Sequence, residues 1–274
     1  MLELPLLGSY HTELAAYAGL RSGQAQIEAL TAAALRHFYG ACETVLSPSP
    51  ATDARVAELG IAPGRIGRWA RGVDLTRFDP GLRSADLLPH EVINVLYAGR
   101  LTKEKGIDLL ADAFEAARLR EPRLHLVLAG GGPEQDAVRA RLREHVTFLG
   151  WLEGEQLAAA YASADLFLFA SQTDTFGNVI LEAQASGLPV IAVDAGGPAS
   201  LIEHGETGLL AAPRPQPLAD AIVALAGAPL LRERLRRAAL AAVQSRTWEA
   251  ALEQLAAGYR MALTEHAAGD RQVA

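Results

Sequence analysis

The chain has 274 residues, of which 50% are hydrophobic and 21% charged, and its formal net charge is -7. Such a composition describes an ordinary globular chain of one or two domains with enough apolar residues for a real core, and it excludes a nucleic-acid partner, which needs a basic face. A single cysteine, Cys42, excludes an intramolecular disulfide and fits a reducing compartment, and no apolar run approaches the roughly 18 residues of a membrane span.

Met1 to Ser9 lacks a basic n-region and has only a very short apolar core, so it does not read as a signal peptide. The expected compartment is the cytoplasm. A strand is predicted at 4–9, with Tyr10-His11-Thr12 directly after it. Helical patterns at 13–19 and 24–39 are separated by a break at Arg21-Ser22-Gly23. A buried strand at 44–47, a helix from Ser49-Pro50 to 59 and a strand at 66–73 follow. Asp79-Pro80-Gly81 and the polar stretch up to Pro89 form the predicted linker.

Beyond it the alternation is regular. Strands are predicted at 92–99, 124–130, 146–149, 165–171, 189–194 and 208–212, and helices at 106–120, 134–144, 154–163, 177–186, 198–204 and 216–226. Strands and helices in strict alternation imply an α/β domain, a parallel sheet covered on both faces. Helices at about 229–245 and 247–264 end the chain, with a frayed tail from Gly269. The division is therefore 1–75 for a first α/β unit, 76–91 for the linker, 92–228 for the second domain, 229–266 for C-terminal helices packing back toward the first unit, and 267–274 for the tail. The arginines at 232, 234, 236 and 237 read first as a solvated helix face. As a lipid-facing patch they would seat the protein at the inner membrane face.

The stretch from Thr173 to Val193 carries the strongest chemical signal. It reads TDTFGNVILEAQASGLPVIAV: a polar turn after a buried strand, a helix closed by Gly187 and Pro189, and a second buried strand. Asp174 is thereby placed at the carboxyl end of a strand, where open parallel sheets bind ligands, with Glu182 about two helical turns on. The amides of Phe176, Gly177 and Asn178 would open the helix without intrahelical partners, which attracts anions and hydroxyls. The spacing alone fits equally well an Asp174 that caps the helix and a Glu182 that is a solvated carboxylate.

Two further loops lie at strand ends of the same domain. Arg100-Leu-Thr-Lys103-Glu-Lys105-Gly106 holds the only two lysines among 25 basic residues. A compact ammonium on a flexible stem suits a phosphate, with the Arg100 fork beside it; the other reading of so charged a loop is a solvated turn of mixed charge. Gly130-Gly131-Gly132-Pro133 permits close ligand approach but resembles many strand-to-helix turns. No Asp-x-Asp pair, His-x3-His spacing, Walker A sequence or dinucleotide fingerprint occurs.

As they stand, these residues resemble the retaining GT-B glycosyltransferases of family four. The carboxylate-x7-carboxylate signature is matched by Asp174 and Glu182, with Asp174 where the family usually has Glu. The loop ending in Glu104-Lys105-Gly106 is similar to the family segment whose Arg and Lys hold the donor diphosphate, which implies Arg100 and Lys105 here. Gly131 falls in a turn similar to one near the nucleotide, and Arg71-Gly72-Val73-Asp74 is similar to the segment joining the two domains. Gly196-Gly197-Pro198 resembles a family loop whose Glu is replaced by Ser200, and it is assigned no ligand role. His11, in SYHTE, resembles the family histidine that contacts the donor sugar.

The resemblance implies a GT-B-like fold, one complete Rossmann-like doubly wound parallel domain and a partial N-terminal one. It implies transfer of a sugar from a UDP- or GDP-linked donor, with retention, without a metal, to a sugar or lipid acceptor. Arg100 and Lys105 would face the leaving diphosphate, and Phe176, Gly177, Asn178 and Val179 would add amides from the helix end. Glu182 would take the ribose hydroxyls, and Asp174 and His11 the donor sugar. Two other classes share these features: a module that holds a sugar nucleotide without transferring it, and a GT-B sugar-nucleotide epimerase. Three strands precede Asp74, where a doubly wound sheet typically has about six. The chain therefore reads as a truncated transferase or one half of a split one, with the rest supplied in trans or the open sheet edge covered by self-association.

Overall fold

The structure, a computed structural model, describes residues 4–273. Met1, Leu2 and Glu3, the start of the stretch read above for a signal peptide, lie outside the described residues. Two parallel sheets carry the chain. The first has strands β1 (Leu7–Ser9), β2 (Thr44–Ser47) and β3 (Ile66–Arg68) in that spatial order. Helices α1 (Leu14–Ser22) and α2 (Ala25–Gly40) connect β1 to β2, and α3 (Pro50–Glu58) connects β2 to β3. The break between α1 and α2 is confined to Gly23, whose φ of 66° closes α1 in the left-handed conformation, and the extended Gln24 that precedes α2.

The second sheet contains β4 (Ile93–Ala98), β5 (Leu124–Ala129), β6 (Val146–Gly150), β7 (Leu166–Phe169), β8 (Val190–Val193) and β9 (Leu209–Ala211), in the order β6-β5-β4-β7-β8-β9. Its connecting helices are α4 (Ile107–Arg118), α5 (Gln135–Leu142), α6 (Gly154–Ser163) and α7 (Asn178–Ala185), followed after β9 by α8 (Pro215–Ala226). Strands β4, β7 and β8 are buried at every residue. Period-two geometry explains their unbroken apolar runs, because successive side chains enter opposite cores. Val95, Tyr97, Leu166, Leu168, Ile191 and Val193 pack with α4 and α8. Leu96, Ala98, Phe167, Phe169, Val190 and Ala192 pack on the other face, with Tyr161, Ile180 and Leu181.

The strand order places the switch point between β4 and β7, and the loops leaving those two strands open onto one crevice. Lys105 comes from the first loop and Asp174 from the second.

Several expected elements differ in length. Strand β3 stops at Arg68, because Ala70 N donates to Gln254 Oε1 at 2.8 Å and Val73 N to the Arg246 carbonyl at 2.9 Å, which takes this backbone away from the sheet. The helix expected at 198–204 is a single 3-10 turn, Pro198–Leu201, ended by the extended backbone of Ile202. After α9 (Pro229–Val243), α10 runs from Trp248 to Val273 and continues through the stretch expected as a tail. One glycine costs a helix about 1 kcal/mol, and no proline follows Gly269 to stop it. Helix α10 packs on the first sheet, where a Cβ on Gly258 would come within 2.6 Å of Leu46 Cδ2.

Candidate active site

Lys105 owes its position to the residue after it. Gly106 has φ 71°, and a Cβ there would lie 2.3 Å from the Ala170 carbonyl oxygen at the end of β7. Only glycine combines that conformation with so close a contact. The Glu104 carbonyl accepts hydrogen bonds from Ser171 Oγ at 3.3 Å and Thr173 Oγ1 at 3.0 Å, which ties the lysine loop to the loop after β7. Lys105 Nζ then pairs directly with Asp174 Oδ1. Lys105, expected in an exposed loop, keeps only 20% of its side-chain surface, and Asp174 keeps 17%. The switch-point geometry closes that loop over β7, so the reading as a solvated turn fails for Lys105.

Asp174 is not a helix cap. The N-cap of α7 is Gly177, with φ 97° and no side-chain bond. Asn178 and Val179 form the first turn, so the amide end of α7 begins one or two residues later than expected. Nor is Glu182 solvated. It accepts a 2.9 Å hydrogen bond from the fully buried Tyr161 hydroxyl, and burial raises its carboxyl above the ordinary range.

His11, Arg71, Lys105, Asp174, Thr175, Phe176, Gly177, Asn178 and Val179 line one cavity of about 290 Å³. Burial, with the Arg71 charge second, lowers the His11 pKa to about 4, so the ring is neutral at neutral pH. Arg100, Gly131 and Glu182 do not line this cavity. Arg100 is exposed and lies 3.9 Å from Glu104, which also takes Arg21 at 3.2 Å. Gly131 is buried beneath Trp151, whose Nε1 would stand 2.9 Å from an added Cβ.

Sequence reasoning passed over the residues that hold Asp174 in place. Thr175, next to it, donates through Oγ1 to the His11 carbonyl at 2.7 Å. The Thr175 carbonyl accepts from Ser49 Oγ at 2.9 Å and Thr52 Oγ1 at 3.1 Å. Ser49-Pro50 reads in the sequence as the helix start it is, and Ser49 Oγ does accept from Thr52 N at 3.2 Å. Nothing local reveals its second bond. Gly197, to which no ligand role was assigned, fits against this backbone: its amide donates to the Asp174 carbonyl at 3.0 Å, and a Cβ would stand 1.8 Å from the Thr175 carbonyl oxygen. Tyr161 as the partner of Glu182 is equally invisible in the sequence, where Arg71 stands only in a segment similar to one that joins two domains.

A crevice at the switch point of a doubly wound sheet, lined by a helix amide end, Arg71, Lys105 and the Asp174 carboxylate, defines a site for an anionic, hydroxyl-bearing ligand. The family model described as Glycosyl transferases group 1 matches residues 93–228, and the one described as Glycosyltransferase Family 4 matches residues 1–77. A GDP-mannose-dependent alpha-mannosyltransferase of Mycobacterium tuberculosis is 35% identical over 264 residues, covering 94% of this chain and 67% of that protein. Among solved structures, a sucrose-phosphate synthase from Thermosynechococcus elongatus superposes with a TM-score of 0.80 at 28% identity, over 94% of this chain and 68% of that one. The Anabaena protein HepE, solved in complex with UDP, superposes with a TM-score of 0.78 at 23% identity, over 93% of this chain and 72% of that one. The chain belongs to the family 4, or group 1, glycosyltransferases, and its fold is the GT-B type that the motifs implied. It spans about two thirds of the length of the mycobacterial relative, 67%.

Proposed function

We propose that this chain binds a nucleotide diphosphate sugar in the 290 Å³ cavity and transfers the sugar with retention of anomeric configuration. The observation that carries the reading is the direct Lys105–Asp174 pair, set against the amide end of α7 and facing His11. Lys105 and the Asn178 and Val179 amides meet the diphosphate, and protein cations rather than a metal ion balance its charge. Asp174 and the neutral His11 orient the sugar hydroxyls. Glu182 takes the ribose hydroxyls from its place beside Tyr161, and Arg100 swings from Glu104 to the phosphates.

In the transfer step the anomeric carbon–oxygen bond breaks and its electron pair stays on the diphosphate. The acceptor hydroxyl oxygen bonds to that carbon on the same face and passes its proton to the diphosphate. Electrostatic preorganisation of this kind is usually the largest catalytic contribution. The mycobacterial relative is named for GDP-mannose, which makes a GDP-linked donor the first to try.

Saturation-transfer NMR with UDP- and GDP-sugars identifies the donor, and product analysis with candidate sugar and lipid acceptors tests transfer. A new glycoside supports the proposal. Binding without product would reduce the chain to a sugar-nucleotide module, and a free epimerised sugar nucleotide would make it an epimerase. Among the described residues no helix is long and apolar enough to cross a membrane.

A further inference from the structure

Three polar groups cluster on the first sheet's side of the site, His11 and Arg71 in the cavity wall and Trp69 packed against both. His11 Nε2 and Trp69 Nε1 are shielded from solvent and have no hydrogen-bond partner among the described residues. The His11 ring meets the Trp69 ring edge-on at 4.8 Å, and the Arg71 guanidinium lies over Trp69, 5.1 Å from its centroid. Arg71 forms no ion pair among the described residues, and burial holds its pKa below the ordinary arginine range. It lines the cavity together with Lys105, Asp174 and the amide end of α7.

The charges in that cavity do not balance. Lys105 is already matched by Asp174, Arg100 turns away to Glu104, and His11 is neutral. Arg71 is the uncompensated cation. A half-buried charge without a partner is costly until an opposite charge arrives.

We infer that Arg71 is a further cation for the donor's departing diphosphate, reaching it from the first sheet's side of the cavity while Lys105 reaches it from the second; this rests on the donor-site reading above. A planar guanidinium engages two phosphate oxygens at once, and the Trp69 ring lies against its other side as a cation–π partner. The charge on the diphosphate grows by one unit as the anomeric bond breaks, so the contact strengthens in that step.

Calorimetric titration of the full chain with GDP, UDP, GMP and UMP tests this in the wild type, Arg71→Met, Arg71→Lys and Lys105→Met. Arg71→Met should weaken diphosphate binding at least about tenfold, the effect of one charge-assisted contact, and leave the monophosphates within about twofold. It should also flatten the salt dependence of diphosphate binding, and Arg71→Lys should restore part of the affinity. An Arg71→Met protein that melts as the wild type does and binds GDP and UDP as tightly overturns the inference. Equal losses for mono- and diphosphates overturn it too, since Arg71 would then act on the nucleoside or on the fold. A wild type that binds neither diphosphate instead removes the donor-site reading itself.

Discussion

Thr175 Oγ1 donates a 2.7 Å hydrogen bond to the main-chain carbonyl of His11, 164 residues earlier in the chain. Because Ser49 and Thr52 hold the carbonyl of the same threonine, the residue between Asp174 and Phe176 is gripped by the loop after β1 and the N-terminal turn of α3. The position of Asp174 is therefore set by contacts between the two sheets as much as by its own strand. His11 and Asp174 come to face one cavity through this clamp.

Thr175→Val keeps the shape and removes the donor. With the His11 carbonyl left short of a partner, stability should fall by about 1–2 kcal/mol. Urea unfolding measures this. Sugar-nucleotide binding should suffer more than free nucleotide binding, because the clamp sets the His11 wall while the amide end of α7 stays in place. Equal losses would show that the clamp does not govern the sugar side.

Lys105→Ala and Asp174→Ala should each cost about 1–2 kcal/mol, because each leaves a partly buried charge without its partner. This exceeds the 0.5 kcal/mol or so usual for an exposed loop residue. The double variant should recover part of the loss, with a coupling of about 1 kcal/mol or more in a double-mutant cycle. Additive losses would mean that the pair does not form in solution. Lys105→Ala should also weaken nucleoside diphosphate binding by about 1.5–3 kcal/mol.

For Glu182, stability and function pull apart. Burial raises its carboxyl pKa, so between the unfolded and folded values the folded protein holds a proton that the unfolded chain has lost. Stability therefore falls as pH rises through that window. Glu182→Gln removes this loss and still accepts the Tyr161 hydroxyl. It should melt no lower than the wild type at pH 7 while binding nucleotide and sugar nucleotide more weakly. Scanning calorimetry beside a GDP titration separates the two effects.

His11 gives the opposite pH dependence. Its folded pKa of about 4 lies below the ordinary histidine value of 6.5, so the unfolded chain binds more protons as the medium acidifies. Stability from this group is fully present above pH 6.5 and is lost progressively toward pH 4. His11→Gln should flatten the melting temperature over that interval relative to the wild type. An identical pH profile in the variant would show that the ring is not buried neutral.

The sequence by itself determined the α/β class, the parallel sheet, the strand positions and the loops that matter. Run length, period and punctuation are local properties, and in β4, β7 and β8 they agree with two-sided burial. It also determined that Asp174 and Lys105 follow strands. Only the tertiary structure decided that those strands are neighbours, because spatial order depends on how helices on both faces pack, and no local pattern encodes it. Lys105 thus changed from an exposed loop residue into the partner of Asp174. Of the two readings open for Glu182 in the sequence, the solvated one fails because α6 brings Tyr161 against it. Ser49, Thr52 and Arg71 gained their places from the meeting of the two sheets, where polar groups far apart in the chain satisfy or leave open one another's hydrogen bonds.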